Sequence, residues 1–517
     1  MAVVGAIVAG GAAAYVGWTA VAVVGSAVVG AVVFDYLEDA LIPDMPDLGA
    51  MSTAQGAMIN KASNNAPIPI IYGRRTVGAT RVFVETNSTD HKQLHLVLAI
   101  SEGEINSVEK IYVNDVLSTD SKFDGVLWTY THNGTDSQTV DTWLKGNVSG
   151  WTDDHRLQGT AYAYIRLKFD QDAYPQGMPT ITFDVKGTKV YDPRDSTTSW
   201  SNNPALCIRD YLTNSRYGRG IDTSLIDDTT FSAAATYCEE DVTIGGSTKS
   251  RYTCNGIVDT SKGSIQILRQ LLTSCRGFLI FSGGKYKLVI NKPETANFTF
   301  SEDNIIGSWS IKLGDKNSQV NRIRANFINR YRNNQPDIAV VDSPSLRVLD
   351  NGLLLEKTIE LPYTSDIDRA KMLATLAINQ SRQSIVCEFT ATIEALRCEV
   401  GDVAYIKHDT PGWSSLNANA GKLFRIMQIT LKNNDEVRVL CSEYDPNSFN
   451  FGVIPISDTA PNTNLPDATQ VGSPTALSVT EELYVTATGK GAQVRANLTW
   501  GQPTDAFVTA YDVEYKN

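Results

Sequence analysis

The first 34 residues contain no Asp, Glu, Lys or Arg, so all 45 basic and 57 acidic residues of this 517-residue chain fall between Asp35 and Asn517. Val, Ala and Gly dominate the stretch, and as one helix it would run about 51 Å, well past a ~30 Å hydrocarbon core. Gly10-Gly11 or Gly25 could divide it into two shorter pieces. No basic residue precedes it and Asp35, Glu38 and Asp39 follow, which fits neither a secretory signal nor an oriented anchor. Small residues recur every fourth position, at Gly5, Ala9, Ala13 and Gly17, then at Ala22, Ser26 and Gly30. Such a ridge lets helix backbones approach closely in a membrane or a protein-lined lumen. The expectation is a segment shielded first by protein, and by lipid at a later stage.

The formal charge of −12 and the absence of a run of five Lys/Arg argue against a sequence-specific nucleic-acid binder, which needs a basic face. Seven widely spaced cysteines form no CxxC pair and predict buried free thiols. His91 and His95 are spaced like a metal pair. The QLHLVLAI run around them reads as a strand, however, where four residues span roughly 13 Å, too far for one ion. HExxH, GxxxxGK[ST] and GxSxG are absent, and no cofactor is expected.

Pattern changes divide the chain into an apolar N-terminal helical segment (1–48), a polar connector (49–66), a β region (67–190), an α+β insertion (191–292), a second β region (293–452), a Pro/Asn/Thr-rich linker (453–473) and a terminal β piece (474–517). The fold class is mainly β with an α+β insertion. Asn203-Pro204 predicts a helix start, with Gly218 and Gly220 ending that helix. Further helices fit 229–239 and 262–275. FLIF-SGG-KYKLVI reads as a hairpin around Gly283-Gly284, and Ser365-Asp366-Ile367-Asp368 opens a helix that runs to about Ser381.

Four stretches in fixed order, NAPIPIIYGRRTVG (65–78), VYDPRDSTTSWSNNPALCIRDYLTNSRYGRGI (190–221), RYTCNGIVDTSKG (251–263) and GDVAYIKHDTPGW…FRIMQI…CSEYDPNSF (401–449), resemble the tail tip attachment protein J family of long-tailed phages. The last 45 residues resemble the first half of a fibronectin type III module, with Trp500 and Tyr511 as its core aromatics, so the natural protein is expected to continue beyond Asn517. The resemblance implies a homotrimeric virion hub at the distal end of the tail, assembled in the host cytoplasm, with two β-barrel-like hub domains per copy. Implied partners are the distal tail protein ring, the C-terminus of the tape measure protein, other tail tip or fibre proteins and, transiently, the host envelope. The implied role is structural: closing the tube, host attachment and opening for genome ejection.

No residue earns a catalytic or metal role. Glu239-Glu240-Asp241 could supply two carboxyls for glycan hydrolysis but reads as a solvated turn. Asp192 and Asp195 read as turn acceptors. Arg74-Arg75 is either exposed turn chemistry or an inter-subunit ion-pair donor. Trp413 is either an anchor for its own loop or an interface contact. Two rivals stay open at this point, a membrane-anchored bacterial surface adhesin and a glycan-degrading tail enzyme.

Overall fold

The computed structural model describes residues 60–62, 67–86, 91–175, 177–313, 319–332, 334–432, 434–452, 473–485, 491–501 and 510–514. The 34-residue apolar stretch and its small-residue ridge, Gly5 to Gly30, lie outside the described residues. The chain forms two compact units, 1–456 and 457–517.

In the first β region, one sheet has the strand order Lys61–Ala62, Thr80–Thr86, Gln93–Glu102, Thr160–Lys168, Leu127–His132. A second sheet is built on the twelve-residue strand Ile181–Asp192, which pairs with Ile105–Val113 on one side and with Arg74–Val77 and Thr197–Trp200 on the other. Between the sheets lies a core that includes Val77, Leu96, Leu98, Ile165, Phe183 and Val185. The first sheet also carries a smaller aromatic core on its other face, with Val97, Trp151, Tyr162 and Tyr164. Covered on both faces, the strand Gln93–Glu102 is buried along most of its length and carries the continuous apolar run Leu96–Ile100 that a doubly buried strand favours. His95 is spent there: it is fully buried, bonds the Tyr164 hydroxyl at 2.8 Å, and burial lowers its pKa so that it stays neutral.

The helices of the next segment obey local rules. Pro204–Thr213 starts with the Asn203 side chain accepting from Ala205 N, Asp228–Glu239 is capped by Asp227, and Ser264–Thr273 leads into the hairpin Gly277–Ser282 and Lys285–Ile290. One end differs from expectation. The first helix stops at Thr213, and Gly218 and Gly220 do not terminate it. Instead the chain doubles back, so that Arg219 N and Ile221 N donate to the carbonyls of Tyr211 and Leu212. A methyl on Gly218 would sit 2.2 Å from the Tyr211 carbonyl oxygen, and that close approach is what requires glycine.

The second β region holds a half-barrel sheet of six strands, ordered Phe298–Phe300, Val403–Ile406, Lys422–Leu431, Val437–Glu443, Ile385–Ala391, Ile305–Leu313. A three-stranded sheet (Gln335–Asp342, Arg322–Asn329, Glu356–Leu361) lies under the helix Ile367–Gln380, which opens within the expected Ser365–Asp368 stretch but is capped by Asp366 rather than by a box from Ser365 to Asp368. One continuous core joins the helical segment to both of these sheets, from Leu206, Phe231 and Leu271 through Phe278 and Phe300 to Phe327, Phe389 and Val439.

The second unit shows the antiparallel hairpin Thr475–Val485 and Ala492–Gly501, largely exposed, with Trp500 edge-on to Tyr511 at 5.2 Å. The run VTAYDVEY alternates like a further strand but falls partly outside the described residues, and 510–514 are not strand.

Candidate functional site

Three of the four stretches that carry the family resemblance meet at one junction. Ile70–Tyr72 pairs with Gly256–Val258, whereas Arg74–Val77, one residue later, pairs with the long strand of the second sheet. The residue between them, Gly73, has φ +65°, which lets the chain change sheets within a single position. Its carbonyl accepts from Gly187 N at 2.8 Å and from the Trp200 indole at 3.1 Å, and Asn255 Oδ1 accepts from Arg74 N at 2.9 Å. Beneath the turn, the Tyr72 and Tyr217 hydroxyls donate to Asp210 Oδ2 at 2.6 and 2.9 Å. Burial raises the Asp210 pKa to about 6 despite those two donors. The junction therefore clamps the first β region to the helical segment and to the strand Gly256–Val258.

Beside it opens a polar cleft of about 240 Å³ between the outer face of the second sheet and the residues Arg330, Tyr331 and Asn334. Arg74 forms a bidentate pair with Asp184 (Nε–Oδ1 3.0 Å, Nη2–Oδ2 2.6 Å), and that carboxylate raises the guanidinium pKa. Asn334 Nδ2 donates to Thr76 Oγ1 at 2.8 Å and bridges the two β regions, while Tyr331 stands 65% exposed at the rim. The lining mixes both charge signs, with Arg74, Arg330, Asp115 and Asp184 around it.

The two neighbouring arginines are not alike, contrary to the expectation of an exposed pair. Strand alternation sends Arg74 to the cleft and Arg75 to the opposite, buried face, where it is 2% exposed and opposite Val185. Its Nε and Nη1 have no hydrogen-bond partner, and burial lowers its pKa to about 9. Trp413 is buried against Phe424 with ring centroids 5.1 Å apart.

The acidic cluster dissolves into pairs. Glu239 joins Arg194, which also holds Asp192, and Glu240 pairs with Arg251. Asp195 accepts from Thr197 N, a turn bond. Among the described residues no group of three His, Cys, Asp or Glu is arranged to hold a metal, and no helix is long and apolar enough to cross a membrane.

One surface escaped the sequence reading. At the end of the short helix Pro344–Leu349 and just beyond it the chain presents Val348, Leu349, Leu353 and Leu354, each at least half exposed. Asp350 fixes this tip. It takes both terminal nitrogens of Arg382 at 2.8 and 2.7 Å and Asn321 Nδ2 at 2.8 Å, and the Arg382 bond lowers its pKa to about 2. Its folded value lies below that of a free carboxylate, so the pair stabilises the fold above about pH 4 and the gain fades as pH falls toward 2. Asp350→Asn is expected to cost about 1 kcal/mol at pH 7, both partners keeping some solvent contact. The same change should remove part of the stability loss between pH 4 and 2, read from urea midpoints.

Comparison with known proteins agrees with this picture. Residues 264–429 match the family "Putative phage tail protein". The chain is 24% identical over 289 residues to the tip attachment protein J of Escherichia phage SECphi27, a match covering 52% of this chain and 24% of the relative. It is 19% identical over 466 residues to the baseplate hub protein pb3 of Escherichia phage T5, covering 74% and 48%. This chain thus spans about a quarter and about half the length of these two relatives. Its fold is similar to that of a chain in the virion of a native gene transfer agent particle, with a TM-score of 0.54 at 13% identity, covering 76% of this chain and 88% of that one. The resemblance read from the sequence holds, and the chain is similar to tail tip attachment and baseplate hub proteins of phages.

Proposed function

We propose that this chain is a structural, non-enzymatic hub at the distal end of a phage tail. Its similarity to a tip attachment protein and to a baseplate hub protein carries the reading. In this reading 67–190 and 293–452 are the two hub domains, with 191–292 as the insertion that locks them. Three copies would close the tube, present six related β surfaces to the distal tail protein ring and pass fibre engagement into opening. Residues 474–517 would begin a fibronectin type III module toward the fibres, reached through the linker 453–473. Residues 1–48 would pack in the lumen along the ridge Gly5–Gly30, against the tape measure C-terminus, and meet the host envelope during ejection.

A 34-residue apolar stretch is costly in water, at roughly 0.8 kcal/mol per exposed CH₂, and threefold burial inside the tip removes that cost. Arg74 is the member of the expected interface set that keeps enough exposure to meet a neighbour. The test is an image of isolated tails carrying a label after residue 517. Label at the distal tip under threefold averaging supports the hub. Label along the tube or at the head end sinks it.

A further inference from the structure

Spacing in the sequence gives the seven cysteines no framework, but the fold brings six of them together in twos. Cys387 and Cys441 are direct register partners on the adjacent antiparallel strands Ile385–Ala391 and Val437–Glu443. Such partners have Cα atoms about 4.5–5.5 Å apart and side chains on the same face. A disulfide needs about 4.4–6.8 Å. The Cys441 thiol already reaches the Cys387 carbonyl at 3.3 Å. In the helical segment, the Cys207 thiol on Pro204–Thr213 is within hydrogen-bonding reach of the Cys254 thiol. Cys254 is held there by its N–H on the Asn202 carbonyl at 2.7 Å. Cys238, at the end of Asp228–Glu239, meets the thiol of Cys275, just past Ser264–Thr273. Cys398 stands apart, beside Asp402 and Arg397.

All seven are free and buried. Cys207, Cys238, Cys254 and Cys275 all lie in one continuous core. Even so, no three of the described residues are arranged as a metal site. Two pairs, rather than a ligand quartet, describe this region.

We propose that these six residues are latent disulfides, Cys207–Cys254, Cys238–Cys275 and Cys387–Cys441, which close when the chain meets an oxidising thiol buffer and leave Cys398 as the free thiol. The chemistry is exchange with a low-molecular-weight disulfide. One protein thiolate attacks it and expels one small thiolate, forming a mixed disulfide. The partner thiolate then attacks the protein sulfur and expels the second. Each closure thus consumes one small disulfide and two protein thiols, and yields one protein disulfide and two small thiols.

Burial pushes the thiols of Cys207, Cys238 and Cys441 well above their ordinary pKa, which starves the folded core of thiolate. Closure therefore waits for local opening or accompanies folding. The loops closed are long, where a cross-link removes much disorder from the unfolded chain. The bonds would tie the first helix to the segment leading into the strand beside Tyr72, the second helix to the turn after the third, and two neighbouring strands of the half-barrel to each other. The proposal concerns the chain's own thiols and stands apart from the hub reading.

The experiment uses the full chain in buffered oxidised and reduced glutathione, once folded and once during refolding from urea. Samples are acid-quenched, unfolded, alkylated without reductant and mapped by peptide mass. Expected are three cross-linked peptide pairs, each lighter by two hydrogens than its separate peptides, with Cys398 alkylated. Cys387→Ala should abolish its own link, free Cys441 for alkylation and leave the other two links in place. Seven alkylated cysteines in both arms, or links between other partners, overturn the proposal.

Discussion

Gly73→Ala is expected to destabilise the fold by about 3–5 kcal/mol, enough to empty the native state of a chain of ordinary stability. Two independent costs combine. Position 73 has φ +65°, where a β-carbon is strained by about 1–2 kcal/mol. The added methyl would also lie 2.1 Å from the Cys254 carbonyl oxygen and 2.5 Å from Asn255 Oδ1. Neither neighbour can yield cheaply. The Asn255 oxygen holds Arg74 N, and Cys254 is tied to Asn202. Gly283→Ala separates the two costs, because that hairpin glycine has φ +60° with nothing within 4 Å of its added methyl. It should lose only about 1 kcal/mol. Urea midpoints for the two variants give the comparison. Equal, small losses would show that the junction does not depend on close approach at Gly73.

This contrast also marks what the sequence can and cannot disclose. Asn203-Pro204, the helix start in Ser365–Asp368 and Gly283-Gly284 were legible because capping and tight-turn chemistry act within a few residues. The run QLHLVLAI could be recognised as a strand, but the second layer that buries its other face could not. Gly218 was misread because its role depends on the Tyr211 carbonyl, which only the returning chain brings near. The same holds for the site. Tyr72 and Asp210 lie 138 residues apart, and only pairing between remote strands and helices joins the family-like stretches into one clamp. Arg75 shows the limit of composition. Two adjacent arginines look equivalent until strand alternation assigns them opposite faces, one to solvent and Asp184, the other to the core.

Acidification from pH 7 toward 4 is expected to strengthen the contribution of Asp210 to stability by about 2–3 kcal/mol, opposite to the usual effect of acid on a paired carboxylate. The folded pKa is raised to about 6, with burial as the first cause, while Tyr72, Tyr217 and Arg209 pull the other way. Because the folded value exceeds the unfolded one, the folded chain binds the proton more tightly. The stabilisation is fully present below about pH 4 and is lost as pH rises through about 6. Asp350 acts in the opposite sense in a lower window, its stabilisation fading between about pH 4 and 2, so the two are separable on one titration. Asp210→Asn tests the assignment. A carboxamide oxygen can still accept from the tyrosine hydroxyls but carries no proton to lose, so the variant should show a flatter stability curve between pH 4 and 7. It should also be at least as stable as the wild type at pH 7, where the parent carries a buried charge. A slope unchanged by Asp210→Asn would mean that the carboxylate is solvated after all and that the clamp under Gly73 is looser than its two hydrogen bonds imply.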